Sequence, residues 1–135
     1  MARYRLKLKK VSLSDVEEDN VQARVLLQGP AAKSYEGVAF RHKRQALEAA
    51  VSATLDAISQ AITKPVNFDI SEVTVKELRE GKPFVVVLLK TDYFVHPVGE
   101  AIELLGACQV TDSEADAAAR ATLNATNRTV STILR

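Results

Sequence analysis

Ala49-Ala50-Val51-Ser52-Ala53-Thr54-Leu55-Asp56-Ala57 returns as Ala117-Ala118-Ala119-Arg120-Ala121-Thr122-Leu123-Asn124-Ala125, so one structural unit has been used twice. Ahead of each copy stands a glycine with small or apolar neighbours, Gly37-Val38-Ala39 and then Gly106-Ala107-Cys108. Further upstream in each half lies an apolar run, Ala23 to Leu27 and Phe84 to Leu89. Order and spacing both recur, with a longer second hairpin. A duplication of this kind defines architecture and symmetry; it contains no nucleophile, metal cluster or phosphate loop.

Working outward, Tyr4, Leu6 and Leu8 alternate with Arg3, Arg5, Lys7 and Lys9, the period of two expected of a half-buried strand. The acidic stretch Asp15 to Asn20 has no apolar period and is expected to turn the chain. Val21 to Leu27 then reads as a second strand, broken by Gly29-Pro30, and Ser34 to Arg41 as a third that pairs with it. After Arg41-His42-Lys43-Arg44 the period becomes helical, with Leu47, Val51, Thr54 or Leu55, Ile58 and Ile62 on one stripe, up to Lys64-Pro65. The second half follows the same programme. Val66 to Leu78 is a strand, Glu80-Gly81-Lys82-Pro83 a turn, and the nearly continuous apolar run Phe84 to Lys90 a central strand. A looser connection through His96-Pro97-Val98-Gly99 leads to a strand from Ala101 to Val110, and Thr111 with Glu114 forms a capping box for a helix reaching about Leu134. The fold class is therefore α+β: a duplicated βββα unit, residues 1–64 and 65–135, in one domain whose six strands form an antiparallel sheet with both helices on one face. Alanines 49, 50, 53 and 57, matched at 117, 118, 121 and 125, allow a helix to approach the sheet or another helix closely.

The chain has 135 residues, 47% apolar and 26% charged, with a formal net charge of +1. This is long enough to bury roughly two thirds of the unfolded surface in one core, and too nearly neutral to recruit nucleic acid or a membrane by its overall field. Cys108 is the only cysteine, which rules out an internal disulfide; its apolar surroundings suggest a buried small hydrophobe. With neither a spanning segment nor a signal peptide legible, the expected location is the cytoplasm.

The second helix, Ala118 to Arg128 with its spaced alanines and terminal Asn127-Arg128, resembles the closing helix of the C-terminal allosteric, or dimerisation, domain of 2-isopropylmalate synthases and the related citramalate and homocitrate synthases. The first helix, Leu47 to Ile58, is similar to that family's acid-plus-alanine helix. The resemblance spans nearly the whole chain and implies two βββα units, a homodimer and a regulatory role. Two features depart from the family. Arg41-His42-Lys43-Arg44-Gln45 replaces its glycine-rich segment before the first helix, and the catalytic barrel is absent from this sequence.

Arg41, His42, Lys43 and Arg44 place positive charge at a helix N-terminus, where the macrodipole favours anions by about 0.3–1 kcal/mol. One reading is an anion site for a carboxylate or phosphate; the other is a solvated loop. Arg3, Arg5, Lys7 and Lys9 add a second basic row. Together with the turn they make a nucleic-acid-binding face if the first strand lies near it, or a solvated edge guarded by its charges. His42 and His96 lack spaced partners, so no metal site is expected, and Asp15, Glu17, Glu18 and Asp19 lack the glycine and distal glutamate of a calcium loop. Ser52, Thr54 and Thr122 lie within helices without a legible base or oxyanion hole. The sequence thus points to a non-catalytic assembly or regulatory domain without a cofactor. It would be a homodimer, with a small anionic metabolite bound at a repeat or dimer interface or a separate enzyme as partner; the alternative is a nucleic-acid-binding module.

Overall fold

The computed structural model of the chain describes residues 5–62, 66–92 and 102–133. Strands β1 (Lys7–Glu17), β2 (Asn20–Gln28) and β3 (Ser34–His42) precede helix α1 (Ala46–Ala61). Strands β4 (Phe68–Glu77), β5 (Pro83–Thr91) and β6 (Ile102–Gln109) precede helix α2 (Glu114–Ile133). The α+β fold of two βββα units is as the repeat requires. The six strands form two separate antiparallel sheets, ordered β1-β2-β3 and β4-β5-β6, rather than one continuous sheet.

The repeat extends to the strand irregularities. Leu8 lies opposite Leu27 and Lys10 opposite Leu26, so Lys9 bulges out of β1; Ile70 lies opposite Leu89 and Glu72 opposite Leu88, so Ser71 bulges out of β4. Val25 faces Gly37 across β2 and β3, and Val87 faces Gly106 across β5 and β6, which sets the two units in register position by position. On the inner face of each central strand, Val25 and Leu27, or Val85, Val87 and Leu89, are fully buried. Each such side chain contributes about 1.5–3 kcal/mol by leaving water.

The two glycines are where helix meets sheet. A methyl group at Gly37 would collide with the backbone carbonyl oxygen of Ala53 and the amide nitrogen of Ala57, and one at Gly106 with the same atoms of Ala121 and Ala125. The spaced alanines therefore do bring each helix onto its sheet, over a glycine in the edge strand β3 or β6. A polar bond fastens each seam: the Val38 amide donates to Asp56 Oδ2 at 3.0 Å, and Asn124 Nδ2 donates to the Ala107 carbonyl at 2.8 Å. The helices also pack on each other, with α2 flanking β1 and α1 flanking β4. The two cores exchange helix residues: Leu123 and Val130 join the core of the first unit, Ala50 and Val51 that of the second.

Three local expectations are corrected. The acidic stretch is not all turn, because Asp15 and Glu17 remain paired to β2, with Val16 bulged between them, and only Glu18 and Asp19 turn the chain. The cap of α2 is Ser113, whose Oγ accepts the Asp116 amide at 3.0 Å; Thr111 stands two residues further out. Cys108 is only half-buried, because it faces a cleft at the unit boundary. Lys64-Pro65, His96 to Gly99 and Leu134 lie outside the described residues.

Candidate functional site

The four residues of the basic turn are all exposed, and the side chains of three of them, Arg41, His42 and Lys43, have separate partners. Arg41 donates through Nη1 to the Phe40 carbonyl and through Nη2 to Ser52 Oγ, both at 2.9 Å, which ties the end of β3 to α1. His42 Nδ1 accepts the Arg44 amide at 3.2 Å and so occupies one of the amides an anion would use. Lys43 Nζ lies 3.9 Å from Asp15 Oδ2. Lys43 and Arg44 lie in a 3-10 turn, Lys43–Gln45, that precedes the first turn of α1.

The second basic group stands elsewhere. Arg5, Lys7, Lys9 and Lys10 are exposed, and Arg3 lies outside the described residues. The register puts Lys7 opposite Gln28, and thus beside Ser34, whereas His42 is opposite Asn20. The start of β1 and the basic turn are therefore at opposite ends of the first sheet, roughly 27 Å apart at about 3.4 Å per residue. They do not form one patch.

The structure brings together a different set. Where the first strand of unit one meets the last strand and helix of unit two, Leu6, Lys7, Leu8, Cys108, Arg120, Leu123, Asn124 and Asn127 line a cleft of about 400 Å³. Among the described residues, its lining holds two cations, two carboxamides and a thiol, and no carboxylate. Arg120, Asn124 and Asn127 stand at i, i+4 and i+7 on α2, one polar stripe on an otherwise alanine-rich helix.

The Arg120 guanidinium is held from one side. Its Nε donates to Asp116 Oδ2 at 2.9 Å one turn earlier, and this hydrogen bond raises the pKa of the guanidinium above its ordinary value. The terminal nitrogens make no bond to the described residues, which leaves a planar pair of donors, a geometry that suits a carboxylate. Asn127 also lines the cleft, and its Oδ1 is buried without a hydrogen-bond partner. The Cys108 thiol is pushed up by burial, against the pull of the Arg120 charge and with a smaller push from Asp116, so it stays protonated.

At the corresponding positions of unit one the helix carries Ser52, Asp56 and Ser59, and Ser52 and Asp56 are already engaged by Arg41 and Val38. Only the second copy presents a cation there. In the sequence these residues read as part of a repeated helix; the available signal was the difference between copies, Arg120 for Ser52 and Asn127 for Ser59. Among the described residues, no group of His, Cys, Asp and Glu side chains is arranged to hold a metal ion, and no helix is long and apolar enough to cross a membrane. Comparison with known proteins returned no match, neither to a family model nor to a curated relative.

Proposed function

We propose that this chain is a non-catalytic assembly or regulatory module that holds a small anionic metabolite in the cleft between its two repeats. The observation that carries this reading is the cleft lining: Arg120 and Lys7 supply positive charge, no acid lines the cavity among the described residues, and Asn127 Oδ1 is an unused acceptor. A carboxylate would engage the free edge of Arg120, while an ammonium or hydroxyl group on the same ligand would draw the buried Asn127 Oδ1 toward the cleft and donate to it. The ligand class is therefore a small amino or hydroxy acid. Residues from both units line the cleft, so binding would reinforce their junction, as suits a regulatory module. The resemblance of the two helices to those of the 2-isopropylmalate synthase allosteric domain favours the same class of role.

Thermal shift against amino acids, 2-hydroxy acids, 2-oxo acids and nucleotides at millimolar concentration tests the reading. A ligand at about tenfold over its Kd stabilises by about 1.4 kcal/mol, a rise in Tm of roughly 5 °C. The rise should come with an amino or hydroxy acid and vanish in Arg120→Gln. No rise with any compound, or a rise of equal size in Arg120→Gln, would refute it.

A further inference from the structure

The two units match in backbone but not on the faces turned away from their helices. With Val25 equivalent to Val87 and Gly37 to Gly106, the outward positions of the first sheet include Gln22, Arg24 and Glu36, and those of the second sheet carry Phe84, Val86 and Leu105 in their place. In unit one, Arg24 Nη1 pairs with Glu36 Oε1 at 3.3 Å. In unit two the same two positions are Val86 and Leu105, the latter 67% exposed. With Leu88 and Ala107 they form a continuous apolar face across β5 and β6. At one end it opens into a cleft of about 550 Å³ that includes Leu78 and Phe84. Unit one shows that the fold is built equally well with a charged pair at these positions. Folding therefore does not require the apolar face.

Charge on β4 identifies its occupant. Glu72 and Lys76 are exposed, outward-facing, and equally spaced on either side of Thr74, with Glu72 opposite Leu88 and Lys76 opposite Phe84. Neither has an ion-pair partner among the described residues. A two-fold axis running across the strands, midway between the sheets and over the row Thr74, Val86 and Ala107, reverses the strand direction of a second copy stacked on the first. Glu72 then meets Lys76 of the second copy and Lys76 meets its Glu72, while Phe84 covers Leu88 of that copy and Val86 covers Val86. Sheets stacked face to face lie about 10 Å apart, a distance these two side chains bridge.

We propose that the outer face of the second sheet is the surface on which two copies of this chain pair, in register, about that two-fold axis. The proposal is independent of the ligand cleft, which lies on the opposite side of β6. Light scattering with sedimentation at tens of micromolar tests it. The wild type should have twice the 14.7 kDa monomer mass. Val86→Arg with Leu105→Glu, which copies the unit-one pair, should give the monomer mass with an unchanged circular dichroism spectrum. Glu72→Lys, which opposes lysine to lysine, should weaken the dimer about tenfold or more, and adding Lys76→Glu should restore it. A wild-type monomer overturns the proposal. So does a dimer that survives both Val86→Arg with Leu105→Glu and Glu72→Lys, which would place pairing on another surface. Should the first variant fail to fold, the Glu72 and Lys76 exchange decides alone, since both are surface residues: no weakening, or no restoration, overturns the pairing.

Discussion

Gly37 and Gly106 are the residues on which each unit closes, and their role is steric rather than conformational. Neither has a left-handed backbone; what each supplies is the absence of a Cβ beneath a helix carbonyl. Gly37→Ala and Gly106→Ala should each cost about 3 kcal/mol or more, since the obstacle is backbone that cannot rotate away. Gly81 is the opposite case. It has φ +71° with open space around it, and Gly81→Ala should cost only about 1–2 kcal/mol of backbone strain. Urea denaturation of the three variants checks the order; equal costs would show that the seam relaxes. At Cys108 the raised pKa predicts slow alkylation at mildly alkaline pH compared with a free thiol, slower still in Arg120→Gln, where the cation that favours the thiolate is gone. The linkage has a definite sign: the folded state holds its proton at higher pH than the unfolded chain, so this thiol's contribution to stability is complete below the unfolded pKa and lost as pH rises through the folded one. A thiol that reacts faster in Arg120→Gln than in wild type would contradict the assignment.

Among the elements, the helices were the most legible and the first strand the least. Spaced alanines after a glycine announced close packing because both halves carried them at the same spacing, and chance propensity does not repeat in register. The first strand was expected over Arg3 to Lys9, whereas β1 runs Lys7–Glu17, and the reason is physical. The bulge at Lys9 moves the inward apolar positions from Leu8 to Val11 and breaks the alternation there, while Asp15 and Glu17 belong to an edge strand whose pairing to β2 overrides their poor strand propensity. The α2 cap shows how a motif can be right in kind and shifted in place. Thr111 and Glu114 have capping-box spacing, yet the helix begins at Glu114 and Ser113 makes the bond. Ser113→Ala should lower stability by about 1 kcal/mol, and Thr111→Ala should change it by less than about 0.5 kcal/mol. Thermal unfolding of the pair measures both, and the reverse order would restore Thr111 as the cap.

For the whole molecule, duplication predicted two of everything, and the proposed site lies where the copies differ. The basic turn drew notice because its charges are contiguous in sequence, but Arg41, His42 and Lys43 are taken up singly by Ser52, the Arg44 amide and Asp15. The cleft residues are dispersed over β1, β6 and α2, and only the packing of one unit's first strand beside the other's helix brings Lys7 to Arg120. No pattern within a single repeat encodes that meeting. The most direct measurement is therefore an amide and side-chain NMR titration with α-amino acids and, separately, 2-hydroxy acids, in which the cleft and the turn report independently. The account predicts saturable shifts at Arg120 Nε, the Asn124 and Asn127 carboxamides and the Lys7 and Cys108 amides, with the Arg41 to Arg44 amides unmoved. Shifts confined to the basic turn, or none at all with either class, would contradict it.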